Sequence, residues 1–392
     1  MAYTVTENKS WFKRIGESFA GILTGIILII VGTWLLWWNE GRTFNTAGAI
    51  KEAELVTEDV QDISRLDPAL EGKLIHATGR ADTKDTVRDP LFGVEATALN
   101  IERDAKFYQW KEESHSETRK KLGGGEETVT TYTYSPAWTD SPVDSNNFKD
   151  PSYKGRNMVL ANVEDKTFWA ENITFGAYRL PQFLAHSIGG EQPITLRNVN
   201  TDSLAQVVMT PTGYTPQQII HVQGSSVYVG ANPNNPAIGD VRITFSQTPP
   251  ADVSIIAQVV RGTFEPFTAS NGYTFSRLEM GIKGVSAMFE DARSDNNIMA
   301  WVLRAVGAFC VIAGLGLVFR PLSVIADVIP ILGTIVDAGA GVVAFLIGLA
   351  WSLVVIAVAW VRYRPLVACG LIAVALVFVG LSYMKGKKSA QA

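Results

Sequence analysis

The chain switches between two kinds of hydrophobic patterning. From Ser18 to Trp38 there are 21 residues without a charge. At a helical rise of ~1.5 Å per residue they extend about 31 Å, close to the hydrocarbon thickness of a bilayer. A water-soluble core helix needs a polar face, and this run has none. It is too long for the apolar part of a cleaved signal peptide, and Trp37-Trp38-Asn39-Glu40 is no small-residue cleavage site. The pattern predicts an uncleaved anchor. Trp34, Trp37 and Trp38 fall where an aromatic belt belongs, and Asn39 to Arg42 reads as the exit into water.

Three more apolar runs come late in the chain. Ile298–Phe319 is broken only by Arg304, whereas Gly339–Val361 and Leu366–Met384 carry no charge. Between them, Leu322–Val336 is apolar but holds Asp327 and Pro330, so 320–338 is expected to be an interfacial or re-entrant segment. Gly333, Gly339 and Gly341 would permit close helix approach there. The predicted spans are therefore 18–38, 298–319, 339–361 and 366–384. Lys9, Lys13 and Arg14 in the head (1–17) and Lys385, Lys387 and Lys388 in the tail (385–392) place both ends in the cytoplasm. Arg362 and Arg364 run against that orientation.

Residues 39–297 form the second regime. "KLIHATG" (73–79), "ATALNIERDAKFYQW" (96–110) and "ETVTTYTYSPAW" (127–138) alternate with period two and are rich in β-branched and aromatic residues. "KLGGGEE" joins the last two as the tip of a long hairpin. A phosphate cradle would need a following Gly-Lys-Ser/Thr, which is absent. Further strands are expected at "QIIHV", "SSVYVG", "DVRITFS" and "VSIIAQVV", and a short helix in Thr174–Gly190. Thr43 to about Lys51 and Gly284–Asn297 read as helices continuing from span one and into span two. The fold class is thus a membrane protein of four transmembrane helices, with a large β-rich α+β extracytosolic domain, periplasmic or luminal, inserted between spans one and two.

Composition fits this division. Of 392 residues, 47 % are hydrophobic and 18 % charged, against about a quarter charged in soluble domains. The net charge of −4 gives no nucleic-acid surface. Both cysteines, Cys310 and Cys369, lie in apolar runs, which excludes a disulfide scaffold. His76, His115, His186 and His221 have no metal-ligand spacing. No nucleophile elbow, His-Glu-x-x-His or dinucleotide fingerprint occurs, so neither an enzyme nor a cofactor site is expected. Asp327 and Asp337 read as solvated interfacial acids, and Asn172-Ile173-Thr174 is a glycosylation sequon that matters only in a secretory membrane. The one costly charge is Arg304, just inside span two. Either it snorkels to the headgroups, or it pairs with Glu40 just outside span one; the pair is the expectation carried forward.

The residues "NEGR" (39–42), "EGKLIHATG" (71–79), "DPLFGVEATALNIERDAKFYQW" (89–110), "YTYSPAW" (132–138), "NF" (147–148), "GDVRITFS" (239–246), Trp301 with Leu303-Arg304, and "YRPL" (363–366) occur together in one order. In this the chain resembles the LUMA family, transmembrane protein 43, over nearly its whole length. The strand ending Gln109-Trp110 is also similar to β-rich domains of GIDE-type ubiquitin ligases. The LUMA resemblance implies a four-span protein of the endoplasmic reticulum and inner nuclear membrane in animals. It also implies organisation of membrane protein complexes, including lamin-associated ones, and self-association. A bacterial member would sit in the inner membrane, without the lamin role. No catalytic residues carry over. Asn39, Glu40, Gly41, Arg42, Trp110, Trp138, Asp240 and Arg304 are the expected structure-defining positions.

The functional expectation is a non-enzymatic multi-pass scaffold whose partners are the bilayer, other membrane proteins and a second copy of itself. The alternative is a sensor whose outward domain binds a lipid or small ligand. A transporter or channel would need a polar path through the spans.

Overall fold

The helix that carries the uncharged run does not end at Trp38. In a computed structural model, which describes residues 2–211 and 213–365, that run is the middle of one 46-residue helix, α1 (Trp11–Val56). Ser10 caps that helix by accepting from the Lys13 N–H. Asn39, Glu40 and Gly41, expected at the water boundary, are buried. The second long helix, α2 (Val285–Ala326), is also continuous through the domain edge and the apolar run. After Asp327-Val328-Ile329 the chain reverses into α3 (Pro330–Tyr363), which has proline at its start, where a missing N–H costs nothing. Residues 320–338, expected as an interfacial or re-entrant segment, comprise the end of α2, a tight turn and the start of α3. All three helices are long and apolar enough to cross a membrane. The fourth apolar run, Leu366–Met384, lies outside the described residues.

Glycine sets how α1 and α2 meet. The two helices are antiparallel, and a Cβ at Gly25 would sit 2.6 Å from the Gly314 carbonyl, one at Gly32 2.7 Å from that of Gly307. The spacing is seven residues on both helices, the repeat of a seam between nearly parallel axes. Gly348 of α3 packs on Ile312 in the same manner. In lipid there is no hydrophobic drive to pair helices, so close backbone approach supplies the dispersion energy. The glycines expected to do this behave differently: Gly339 and Gly341 have open space around them, and Gly333 abuts Asp327 in the turn.

Two large β-sheets are built from residues 58–280, joined in one of them by residues 2–9. The strands named here are β1 (Ala2–Lys9), β2 (Leu74–Thr83), β3 (Asn100–Lys120), β4 (Glu126–Thr139), β5 (Ile220–Gln223), β6 (Ser226–Val229), β7 (Val241–Thr248), β8 (Ala251–Val260) and β9 (Arg277–Met280). One sheet runs β1-β4-β3-β7-β6-β5. The other is centred on β2 and β8, with β9 on β8. Phe92, Ile101, Phe107, Ile243, Phe245, Ile255, Phe175 and Phe264 are among the residues that fill the core between them. The near-continuous apolar run of β8 marks burial on both faces: Val253 and Ile255 face this core, whereas Ile256 faces a second one. There Ile50 and Ala53 of α1 and Met288, Phe289 and Ala292 of α2 dock on Leu74 and Ile256.

The β3–β4 hairpin leaves this body. Its register runs from Phe107↔Thr139 to Lys120↔Glu126, and β1 pairs along β4 from Ala2↔Thr133 to Lys9↔Glu126. From Phe107 to Lys120 the ribbon covers about 43 Å at ~3.3 Å per residue. Along α1, Arg14 to Ala49 covers about 52 Å at ~1.5 Å per residue. The hairpin tip meets the far end of the bundle, where the Gly123 N–H donates to the Val328 carbonyl at 3.1 Å. Residues 2–9, expected in a separate head, thus belong to a sheet continuous with the β-rich body.

Replacing Gly25 or Gly314 by leucine should cost roughly 1–3 kcal/mol through overpacking, read as a lower melting temperature in detergent. Leucine at Gly339 or Gly341 should leave melting near that of the parent. Equal effects at both pairs would refute the glycine seam.

Candidate functional site

Two polar clusters hold the ends of the apolar bundle. The first lies beside the β-rich body and is built on Asn39, Glu40, Gly41 and Arg304. Arg304 donates to both Glu40 oxygens, Nε to Oε1 at 2.6 Å and Nη2 to Oε2 at 2.9 Å. The Trp360 indole N–H of α3 donates to Oε2 at 2.8 Å. One buried carboxylate is therefore bonded by two other helices. The Arg304 guanidinium also lies 4.9 Å from the Trp301 ring centroid, an arrangement favourable to a cation. Of the two readings of Arg304, the structure shows the pair.

The neighbouring positions complete the joint. Asn39 donates to the Ala300 carbonyl at 3.0 Å and Asn296 to the Thr43 carbonyl at 3.0 Å. Gly41 has no side chain because the Tyr363 ring occupies that place: a Cβ would lie 2.8 Å from it. Arg42 turns aside and donates from Nη2 to the Thr43 hydroxyl at 3.3 Å. Trp37 and Phe44 flank Tyr363, with centroids 6.2 and 6.1 Å away.

The second cluster closes the far end. Asp327, buried in the α2–α3 turn, accepts from Arg14 at 2.6 Å and from Lys120 at 2.7 Å. Arg14 also meets Glu126 at 2.8 Å and the Gly124 carbonyl at 2.6 Å. The Trp11 indole donates to the Val324 carbonyl at 2.9 Å. One carboxylate thus joins the start of α1, the end of α2 and the hairpin tip. The expectation of two solvated interfacial acids fails at Asp327, because its oxygens are taken up by two cations; Asp337 is exposed.

The remaining expected positions lie elsewhere and do not join these clusters. Trp110 packs edge-on against Tyr153, 4.9 Å between centroids, and its backbone is held by the Asn157 amide. Trp138 stands between Tyr108 and the Arg242 guanidinium, 4.3 Å from the ring. Asp240, buried, accepts from the Tyr228 hydroxyl and from the Ala237 N–H. Burial and that carboxylate push the Tyr228 phenol well above its ordinary range. At the base of the ribbon, burial and the Glu112 carboxylate push Tyr134 up to about 12. Both phenols stay protonated as donors at neutral pH. These positions support the sheet and its turns; none faces a reacting group.

Sequence reasoning missed Trp360, Arg14, Asp327 and Lys120 as partners. Asp327 carried a usable signal, since an acid inside an apolar run is costly unless paired. Arg14 carried none, because a cation before a span already had an explanation in topology.

Glu40→Gln and Arg304→Gln should each lower stability by roughly 3–5 kcal/mol, the cost of leaving one buried charge without its partner. Trp360→Phe should cost less. A double variant no worse than either single one would show the coupling, whereas singles that melt like the parent would remove it. Asp327→Asn should speed proteolysis at Lys120 and Lys121 and hydrogen exchange at the hairpin tip, while amides around Glu40 keep their protection. Unchanged cleavage at the tip would show that Asp327 does not hold it.

The family model described as Transmembrane protein 43 matches residues 107–365. The chain is 28 % identical over 377 residues to transmembrane protein 43 of Rattus norvegicus, covering 94 % of this chain and 90 % of the relative. It is 26 % identical over 378 residues to the Homo sapiens protein, with 94 % and 90 % covered. It is 25 % identical over 369 residues to the Drosophila melanogaster homologue, with 91 % and 93 % covered. No solved structure matches. The matched span takes in the ribbon, Asp240, Arg304, Asp327 and Trp360, and with relatives aligned along nearly the whole length it shows that this membrane protein belongs to the transmembrane protein 43 family.

Proposed function

We propose that the protein is a non-enzymatic multi-pass scaffold that organises membrane protein complexes and associates with copies of itself. In this reading α1, α2 and α3 cross the bilayer, Leu366–Met384 supplies a fourth span, and the β-rich body stands on the outer side between spans one and two. The observation that carries it is rigid attachment: the body is docked through Ile50, Ala53, Met288 and Phe289 on a sheet whose core is filled, and the helices beneath are locked by Glu40. A body fixed in orientation to the membrane presents its surface to neighbours in a defined way. The sensor reading calls for a deep apolar cavity in the β-rich body. Two clefts described there are surface features: one of 550 Å³ has Glu171, Arg179 and Gln182 in its wall, and one of 410 Å³ has Asp85 and Arg88. An apolar hollow of 590 Å³ lies instead between α1 and α3, beside Trp34 and Trp351. None of the relatives above is named as an enzyme.

Mass photometry of the detergent-purified protein, paired with cross-linking in its native membrane, tests the proposal. A defined multiple of the 42.7 kDa chain, with cross-linked neighbours, is the expected result. A strict monomer without cross-linked neighbours would overturn it.

A further inference from the structure

The ribbon poses a physical problem that the rest of the fold does not solve. Its base is in the β-rich body and its tip is bonded to the far end of the apolar bundle, so if α1 crosses the bilayer the ribbon traverses the same depth. Its two faces differ, because side chains alternate along each strand. Lys120 and Glu126 point at Asp327 and Arg14 of the bundle. The same face carries Ser114, Ser116 and Thr118 of β3, Thr128, Thr130 and Tyr132 of β4, and Tyr3 and Val5 of β1, with Glu7 and Lys9 next to the tip. The opposite face carries Glu113, His115, Glu117 and Arg119, all exposed. Lipid is no medium for that face. The ribbon's edges are unsuited to lipid as well. β3 pairs with β7 only as far as Phe107, and among the described residues no backbone partner meets its outer edge from Lys111 to Lys120. Among the described residues β1 has β4 on one side and no strand on the other. Unpaired backbone groups are not tolerated where water is excluded, and in water a free edge is a template for another strand.

We infer that the outer edge of β1 in one copy pairs with the outer edge of β3, residues 111–120, in the next copy, so that the chains close into a ring with the charged ribbon faces turned to a water-filled interior. This rests on the self-association proposed above and names its interface. The occupant follows from the geometry. Each copy offers one edge of each kind and of similar length, eight residues on β1 and Lys111–Lys120 on β3. An isologous pair, β1 on β1 or β3 on β3, would be antiparallel about an axis lying in the membrane plane. It would invert one bundle relative to the other, which a bilayer forbids. Axes along the membrane normal leave only the heterologous contact, and heterologous contacts whose rotation closes form rings. Both strands run in the same direction, since each is antiparallel to β4. The new ladder is parallel. Through β4 the residues at one height are Val5, Thr130 and Ser116, and Thr6, Val129 and Glu117. From Ala2 to Asn8 no like-charged pair stands level across the joint; at the tip Lys9 stands level with Lys120, whose charge Asp327 takes up. Paired this way, both edges are satisfied and the face with Glu113, His115, Glu117 and Arg119 is kept from lipid, as the polar lumen face is in closed transmembrane barrels.

The test is disulfide trapping in native membranes, in a full-length chain whose Cys310 and Cys369 are replaced by alanine. Val5→Cys with Ser116→Cys in one chain should give an intermolecular ladder on mild oxidation, with a dimer band at least ten-fold above either single variant. Within one copy these positions are two strand spacings apart, about 10 Å, beyond the ~7 Å reach of a disulfide. Val5→Cys with Ser114→Cys or Thr118→Cys covers a shifted register. A ladder from any of these pairs supports the edge contact. Dimers from Val5→Cys or Ser116→Cys alone would show isologous pairing and overturn it. If all three pairs stay unlinked while mass photometry finds an oligomer, the edge contact is wrong and self-association stands. If the protein is a strict monomer, both fall.

Discussion

One carboxylate governs the arrangement of the bundle. Glu40 is buried and charged, and such a group is tolerated only when its oxygens are occupied. Its partners come from two other helices, Arg304 from α2 and Trp360 from α3. Meeting all three bonds fixes the rotation of α1 against α2 and the height of α3 against both. Apolar surfaces in lipid cannot do this, because sliding or rotating a greasy helix changes little in its solvation. The glycine seam sets the distance between α1 and α2; the Glu40 cluster sets the register.

The far end repeats the device with Asp327, and the two clusters together make the ribbon intelligible. A hairpin this long would wave freely if held only at its base, where β3 pairs with β7. Its tip is instead bonded to Asp327, Arg14 and Val328. The hairpin and the bundle are thereby two struts joined at both ends. The N-terminal strand β1 follows from this: because Arg14 is anchored at the tip, residues 2–9 can only leave α1 alongside β4, where backbone partners are available.

Much of this was legible in the sequence, and the gaps have physical causes. The apolar spans are visible because length and lack of charge are local properties. The Glu40–Arg304 approach was legible because each charge was costly alone and the topology put them at one height. The β-rich body was legible by period-two alternation in 73–79, 96–110 and 127–138. The ribbon beyond Trp110 was not: "KEESHSETRKK" has no apolar alternate, since neither face enters a core, and its strand character comes from pairing with β4. β1 was missed for the same reason. That Asn39 to Gly41 would be buried in a continuing helix was not legible, because helix continuation past an apolar run leaves no hydropathy signal. Asp327 was misread because its partners lie 313 and 207 residues away, and only the folded chain brings them together.

The abrupt change from Trp37-Trp38 to Asn39-Glu40-Gly41-Arg42 then has a structural reason. Trp34 and Trp38 stack with centroids 5.9 Å apart and remain exposed on the side away from α2, where an indole belongs at a membrane surface. One residue further on, the other side of the same helix turn carries Asn39 and Glu40 inward. The helix is amphipathic here with its polarity reversed: polar groups face the protein and aromatic groups face outward. Such an inversion is stable only where the outside is less polar than the joint it covers. The change of residue type is thus a consequence of side-chain solvation within one continuous helix, which runs on to Val56.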